Sequence, residues 1–351
     1  MLARHARVWW GDGMDAADLA QRFGLGRAVR LSDGPVARGK QGLVWRLDTA
    51  EGRWAVKVPF RWPDEEEVRS ATAFQEAARA AGVPAPHVRR TTEGCVFAAL
   101  GDRQVRVYEW VDLAAPDTGL DPDLVGAVVA AIHRVSVTGT GPVSVTEAGP
   151  LDPWYHEPVG AARWDHLIGQ LAEAGAPFAP GLAGLRDELV ALESWIEPPE
   201  MLQTCHRDLW ADNVLPTGDG GVCVIDWDNS GPADPSQELA CVLFEFGRAD
   251  PGRVRALTQA YREAGGPAAV NRRGHFSMLI AQLGHITETA ATDWLTPNPR
   301  SLDRADSAAW ASEVLDEPYT RELLGTILAA ADGGGGVRRV TTARRPRCRR
   351  A

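Results

Sequence analysis

Asp208, Asn213 and Asp226 place three oxygen-bearing side chains at short, fixed separations. They lie in His206-Arg207-Asp208-Leu209-Trp210-Ala211-Asp212-Asn213-Val214-Leu215 and in Val224-Ile225-Asp226-Trp227-Asp228. Asn213 follows Asp208 by five positions, and Asp226 follows it by eighteen. Phosphoryl transfer from a nucleotide needs a carboxylate to receive a hydroxyl proton and oxygen ligands for the magnesium on the phosphates. The three residues make a complete set of such groups. The plainer reading is a polar loop running into a half-buried strand, and three matches at fixed spacing weigh against it.

The intervening elements give the spacing a mechanical sense. Val214, Leu215 and the apolar run 222–225 flank Thr217-Gly218-Asp219-Gly220-Gly221. That pattern predicts a short β-hairpin with a glycine-rich turn. Such a hairpin returns Asp226 to Asn213. Magnesium takes few protein ligands and fills its shell with phosphate and water oxygens. Two ligands on the hairpin and Asp208 on the loop before it therefore suffice.

The two segments resemble the catalytic and metal-binding loops of the aminoglycoside phosphotransferase and choline kinase-like family, small-molecule kinases that share the protein-kinase fold. The resemblance implies Asp208 as catalytic base, Asn213 and Asp226 as Mg2+ ligands, and His206 as a brace of the loop. It also implies an α+β, protein-kinase-like two-lobed fold, with an N-terminal antiparallel sheet lobe carrying one helix and a larger, mainly helical C-terminal lobe. Two departures from the family pattern are visible, at Arg207 and Trp210, and a third difference separates the chain from protein kinases. Arg207 occupies a position where these small-molecule kinases usually have Gly. Trp210 stands where a protein kinase carries its catalytic-loop Lys, as it does in fructosamine kinase-like enzymes. Asp226-Trp227-Asp228 replaces Asp-Phe-Gly, and no Ala-Pro-Glu follows. The small-molecule branch fits better than the protein kinases.

Upstream, 27–31 and 42–48 read as strands joined by Ser32 to Gln41, whose Gly39, with Gly42 just beyond, lets backbone amides approach phosphates. An ordinary hairpin is an equal reading of that turn. The strand 54–58 carries Lys57 at its centre, and a Lys in an apolar strand needs an anionic partner. The resemblance implies that Lys57 meets the α- and β-phosphates of the nucleotide. Pro63 and Asp64 open a helix to Ala81. The family spacing for the acid that holds the strand Lys falls near Ser70 or Ala71, where no acid exists. Glu67 is the best substitute on its helix face, beside Glu65, Glu66 and Glu76; a solvated acidic first turn is the competing reading. Segments 88–90, 95–100 and 104–109 complete a five-stranded antiparallel sheet. In the family the linker that follows binds adenine through its backbone, here at Glu109 and Val111.

Past Asp121 the pattern is helical. Helices are expected at 123–135, 164–174, 182–195, 237–247, 251–264, 273–291 and 307–330, with 153–157 as an irregular insert. His133 reads as a core or loop-bracing residue. Asp234 resembles the family's structural Asp after the metal loop. The chain thus divides into an N-terminal helical extension (1–23), a nucleotide-binding lobe (24–110), a catalytic and substrate-binding lobe (111–332), and a glycine linker with a basic, disordered tail (333–351). Asp15 could cap a helix through Phe23, with Met14 as an alternative start.

Composition sets outer limits. Hydrophobic residues at 44% and charged residues at 24% of 351 residues are ordinary for globular proteins of more than one small core. Five scattered cysteines without a C-x-x-C pair predict reduced thiols and a cytoplasmic setting. No apolar run is long enough to span a membrane, and Met1 to Trp10 lacks the apolar core of a signal peptide. The net charge of −10 includes seven arginines in 337–351, so the rest is more acidic still. Such a field draws cationic substrates and disfavours nucleic acid. The expected activity is an ATP- or GTP-dependent O-phosphotransferase acting on a small, hydroxyl-bearing and amino-bearing molecule, an aminoglycoside or another metabolite or antibiotic. Acids beside tryptophans (Trp154, Trp164, Asp165, Glu245, His285, Glu288, Asp293, Trp294) are candidates for its pocket. The alternatives are a catalytically silent nucleotide-binding relative and, with less support, a protein kinase.

Overall fold

Alternating apolar residues in the first third of the chain form an antiparallel sheet, as a period of two requires. In this computed structural model, residues 14–39, 42–60, 64–101, 103–135, 151–297 and 304–333 are described. Met1 to Trp10, Lys40, Gln41, Pro63 and the basic tail therefore lie outside the described residues.

Helix α1 (Ala16–Arg22) is capped by the Asp15 carboxylate, which accepts from Ala17 N–H at 2.8 Å. Strands β1 (Ala28–Leu31), β2 (Ala37–Arg38), β3 (Gly42–Thr49) and β4 (Gly52–Pro59) precede α2 (Glu65–Ala80). Strands β5 (Val88–Arg89), β6 (Ala98–Leu100) and β7 (Arg103–Glu109) complete the sheet in the order β1-β3-β4-β7-β5, with β2 on β3 and β6 on β7. The sheet has seven strands rather than five: the six segments named from sequence all pair, and the loop around Gly39 adds its own short ladder, Ala37 against Val44. Leu43, Trp45, Leu47, Val56, Val58, Val105 and Val107 form its core with Leu19 and Phe23 of α1.

The remainder is helical: α3 (Pro122–His133), α4 (Pro153–His156), α5 (Ala161–Glu173), α6 (Ala179–Glu193), α7 (Pro235–Gly247), α8 (Pro251–Glu263), α9 (Ser277–Leu295), α10 (Arg304–Asp316) and α11 (Arg321–Asp332). Residues 153–156 are a helical turn capped by Asp152, not an irregular insert. The single helix expected at 307–330 is two, because Pro318 cannot continue the ladder and Thr320 caps a new start. Helix α2 joins the core of the helical part through Phe74, Ala78 and the nearby Val83. No helix among the described residues is long and apolar enough to cross a membrane.

Two small sheets set into this helical mass carry the segments singled out above. Strand β8 (Gln203–Cys205) pairs with β11 (Gly231–Ala233), and β9 (Val214–Pro216) pairs with β10 (Val222–Val224). The chain leaves β8 as the 206–213 loop, turns through the β9–β10 hairpin, and re-enters β11 after a 3-10 turn at Trp227–Asn229. Both ends of the catalytic segment are thereby pinned.

Candidate active site

The hairpin works as its spacing predicts. Ile225 N–H donates to the Asn213 carbonyl at 2.9 Å, which sets Asp226 beside the end of the 206–213 loop. Asn213, only 8% exposed, turns its amide nitrogen onto Asp208, donating to the Asp208 carbonyl at 3.0 Å and to Oδ2 at 2.9 Å. A second amide does the same: Asn229 Nδ2 donates to Asp208 Oδ2 at 3.0 Å. Two donors on one oxygen fix the plane of the carboxylate.

Asn213 spends its amide nitrogen on Asp208, so the side-chain oxygen points the other way. With Asp226 that gives an all-oxygen donor pair suited to a hard cation such as Mg2+. Asp226 itself adopts a left-handed backbone, φ 56° and ψ 61°, a region that Asp tolerates better than most residues. Its Oδ1 accepts from Lys57 Nζ at 2.6 Å, and Asp228 Oδ2 accepts from the same nitrogen at 2.8 Å. Burial works against the Lys57 ammonium, but the Asp228 and Asp226 carboxylates outweigh it and hold its pKa above the ordinary lysine range.

Arg207 also has a positive φ, 63°. A non-glycine residue there costs about 1–2 kcal/mol. The loop offsets the strain by gripping Arg207 on all sides. Glu238 accepts its N–H, Gln282 Nε2 donates to its carbonyl at 2.8 Å, and its Nε donates to the Asn229 carbonyl at 2.5 Å. The guanidinium lies 4.2 Å from the centre of the Tyr155 ring. It also fills the space beside Gly231, where a Cβ would come within 2.6 Å of Nη2.

Behind the loop, His133 bonds Glu238 at 2.7 Å and the Tyr261 hydroxyl at 2.8 Å, all fully inside the protein. Burial disfavours the Glu238 charge, but His133 and the loop amide overcome it and lower its pKa. Cys205 lies close enough to His133 and Glu238 for a metal cluster. Both histidine nitrogens and both carboxylate oxygens are already hydrogen-bonded, so these three brace the loop. His206 Nε2 donates to the Ile225 carbonyl at 3.1 Å, with its ring 4.7 Å from that of Trp227. Trp227 in turn meets Phe74 of α2 edge-on at 5.4 Å.

His206 supplies a pH prediction. Burial lowers its pKa, and its Nδ1 has no partner among the described residues, so the buried ring is neutral. The unfolded chain therefore takes up this proton before the folded one does, and stability falls as pH drops below about 6.5. In His206→Gln, which keeps a donor for Ile225, thermal stability measured from about pH 7 to about pH 5 should decline less steeply than in the native chain. Equal slopes would show that His206 titrates alike in both states.

Residues 34–272 match the profile of the phosphotransferase enzyme family. The chain belongs to this family. It is accordingly a small-molecule kinase, with the protein-kinase-like fold. Its fold is similar to that of a spectinomycin phosphotransferase solved with ADP and spectinomycin, at 15% identity and a TM-score of 0.63, over 90% of this chain and 97% of the other. An aminoglycoside phosphotransferase from Alicyclobacillus acidocaldarius gives 17% identity and a TM-score of 0.58, over 87% and 93%. An uncharacterized protein of Deinococcus radiodurans is 25% identical over 281 residues, 78% of each chain.

In this phosphotransferase the structure brings Asp208, Asn213, Asp226 and Lys57 together, and it does not bring Glu67. That residue is exposed in the first turn of α2, where Asp64 Oδ1 accepts its backbone N–H at 3.1 Å. The reason is local: an acid near a helix N-terminus is favoured by the helix dipole and needs no buried partner. Lys57 takes Asp226 and Asp228 instead. Gly42 is demanded by packing, since a Cβ there would lie 2.6 Å from the Val58 carbonyl oxygen. A Cβ at Gly39 would make only an ordinary contact, 3.9 Å from the Gly42 carbonyl oxygen, and the Gly39 N–H donates to that oxygen at 2.9 Å. At the linker, Glu109 N–H is already given to the His87 carbonyl. The backbone of Val111 has no hydrogen bond among the described residues. Asp234 caps α7 and accepts from Glu200 N–H at 2.9 Å, which steadies the approach to β8.

Several pocket candidates are committed elsewhere. Trp164 is fully buried on Glu193, Trp294 is 8% exposed, and Asp165 forms an outward pair with Arg186. Glu245 accepts from Ala211 N–H at 3.1 Å, a further tie on the catalytic loop. The residues not anticipated from sequence are Asn229, Glu238, Gln282, Arg106 and the role of Asp228. Asn229 yields a direct expectation. A hydrogen bond to a charged group is worth about 1.5–3 kcal/mol, and ~1.4 kcal/mol is tenfold in rate. Asn229→Ala should therefore reduce kcat by about tenfold with KM for nucleotide little changed. A changed KM with intact kcat would assign Asn229 to binding.

Proposed function

We propose that this kinase moves the γ-phosphate of ATP or GTP to a hydroxyl of a small amino-bearing molecule, such as an aminoglycoside or another antibiotic or metabolite. The observation that carries the reading is one cluster: Asn213 donates to the Asp208 carboxylate, and Lys57 donates to Asp226. Asp208 is the base, Asn213 and Asp226 are the magnesium ligands, and Lys57 receives the nucleotide phosphates. In the reaction the Asp208 carboxylate takes the hydroxyl proton as the hydroxyl oxygen bonds to the γ-phosphorus. The bond from that phosphorus to the bridging oxygen breaks, and the nucleoside diphosphate leaves with the electron pair. Magnesium would neutralise charge on the phosphate oxygens. A loose phosphoryl transition state asks mainly for such positioning and charge.

The amine preference rests on two supports. The chain is acidic overall, which steers cations inward. Helix α4 buries Tyr155 against Arg207 and stacks the half-buried Trp154 on His285 at 5.5 Å, so Trp154 is an aromatic surface on the helix that packs on the 206–213 loop. Glu288 on that side is held by Arg163 and His285. Free thiols at Cys95, Cys205, Cys223 and Cys241 fit a reducing, cytoplasmic setting.

A nucleotide-consumption screen of the full chain against amino sugars, aminoglycosides, peptide antibiotics and simple amino alcohols tests this reading. Acceptor-dependent consumption by at least one of them is expected. Nucleotide binding with no acceptor-dependent consumption would instead favour the silent nucleotide-binding protein.

A further inference from the structure

Lys57 and Arg106 are directly opposite each other on neighbouring strands of the antiparallel β4–β7 pair. Like charges in that register repel, and burial makes the repulsion worse. Arg106 is only 3% exposed, and the Lys57 side chain is 15% exposed. The sheet therefore presents a double positive charge that must be met by an anion. Two-lobed kinases supply it from the helix behind the sheet, and here that helix cannot. The buried face of α2 is Val68, Ala71, Thr72, Phe74, Gln75 and Ala78, with no acid among them.

Asp228 supplies the anion. Arg106 grips it with both terminal nitrogens, Nη1 to Oδ1 at 2.5 Å and Nη2 to Oδ2, while Lys57 Nζ donates to Oδ2 at 2.8 Å. The two-pronged guanidinium contact fixes the orientation of the carboxylate, which a lysine could not do. Asp226 also touches Lys57, but it is the proposed metal ligand. A carboxylate that shares its charge with the ion holds Lys57 less firmly than one that does not.

We propose that Asp228, clamped by Arg106, is the residue that positions Lys57 for the nucleotide phosphates, in place of an acid on α2. The inference rests on the kinase reading above. Without nucleotide the four side chains Lys57, Arg106, Asp226 and Asp228 balance in charge. Once Asp226 serves the metal, Lys57, Arg106 and Asp228 retain one net positive charge facing the phosphates. Nucleotide grip is then set by the metal loop itself. Helix α2 drops out of it.

Calorimetric binding of MgATP and of adenosine to the full chain tests the assignment, because Lys57 would meet only phosphate. Asp228→Asn should weaken MgATP by about tenfold or more and leave adenosine within about twofold of the native value. Glu67→Gln should leave both unchanged. Asp228→Asn leaves Arg106 buried without its partner, so Arg106→Met with Asp228→Asn is measured beside it and should show the same phosphate-selective loss. If either folded variant bound MgATP within about twofold of the native chain, or Glu67→Gln lost as much as Asp228→Asn, the anchor would be refuted. Equal losses of MgATP and adenosine would refute it too, by showing general damage. A native chain that bound neither ligand would overturn the kinase reading along with the anchor.

Discussion

Asp208→Ala should lower kcat by at least about 10²-fold, the usual worth of a positioned general base, with nucleotide affinity nearly unchanged. The expectation follows from how the site divides its labour. Asp208 is held by Asn213 and Asn229, whereas the proposed phosphate and metal contacts run through Lys57 and Asp226. Removing the carboxylate leaves those contacts in place. It also leaves the loop anchored, because Arg207 is fixed by Glu238, Gln282 and Tyr155 independently of Asp208. The loss should therefore appear in kcat and in kcat/KM for the acceptor to the same degree, the mark of an interaction made in the transition state. Asp208→Asn is the stricter control, since it keeps shape and removes the charge. Steady-state kinetics with both variants, alongside nucleotide binding, decide the matter. Unchanged turnover would remove Asp208 from the mechanism.

Asp226→Ala should be comparably damaging, by about 10²-fold or more, because a metal on transferring phosphate is worth several kcal/mol of charge stabilisation. The variant takes away a proposed ligand that Asn213 alone cannot replace. It differs from Asp208→Ala in kind: the magnesium concentration needed for half-maximal rate should rise. Asn213→Ala should share both signatures in milder form. It loses one neutral ligand and one of the two amide bonds to Asp208, so its kcat should not recover fully at any magnesium concentration. A magnesium titration of the three proteins separates these cases. Full activity of the native chain in excess chelator would refute the metal roles of Asn213 and Asp226 together.

The site's geometry was legible because it lies in two continuous stretches joined by a hairpin. A glycine-rich turn between apolar runs leaves little choice about where Asp226 returns. The sheet and most helices were legible for the same reason, their periods being local. What sequence could not supply were partners distant along the chain. Lys57 and Asp228 are 171 positions apart, and Arg106 and Asp228 are 122 apart. The period of two across β4 and β7 puts Lys57 and Arg106 on one face, but only the register shows that they are opposite. Glu67 misled for a physical reason: an acid in a first helical turn satisfies the dipole and so carries no information about a buried partner. Asn229 sits in a 3-10 turn with no periodic signal. Glu238 stands in an otherwise apolar helix, and a buried acid of that kind is itself a sign that something must meet it.

The tryptophans and acids picked as pocket residues show the opposite failure. Trp164 and Trp294 fill the core, and Asp165 pairs outward, as such residues do in most helical proteins. Trp154 is half-buried, on the helix tied to the 206–213 loop through Tyr155 and Arg207. The acceptor pocket depends on which residues share a wall, and no single helix pattern encodes that.

The central claim is transfer of a γ-phosphate to a small hydroxyl under the control of Asp208. Its most direct test follows isotopically labelled γ-phosphate from ATP or GTP in the presence of Mg2+ and an amino-bearing acceptor, with native chain and Asp208→Asn side by side. Label should move onto the acceptor as a phosphate ester with the native chain, one nucleoside diphosphate forming for each ester, and hardly at all with the variant. Ester formation that proceeds equally well in Asp208→Asn, or label released only as free phosphate, would contradict it.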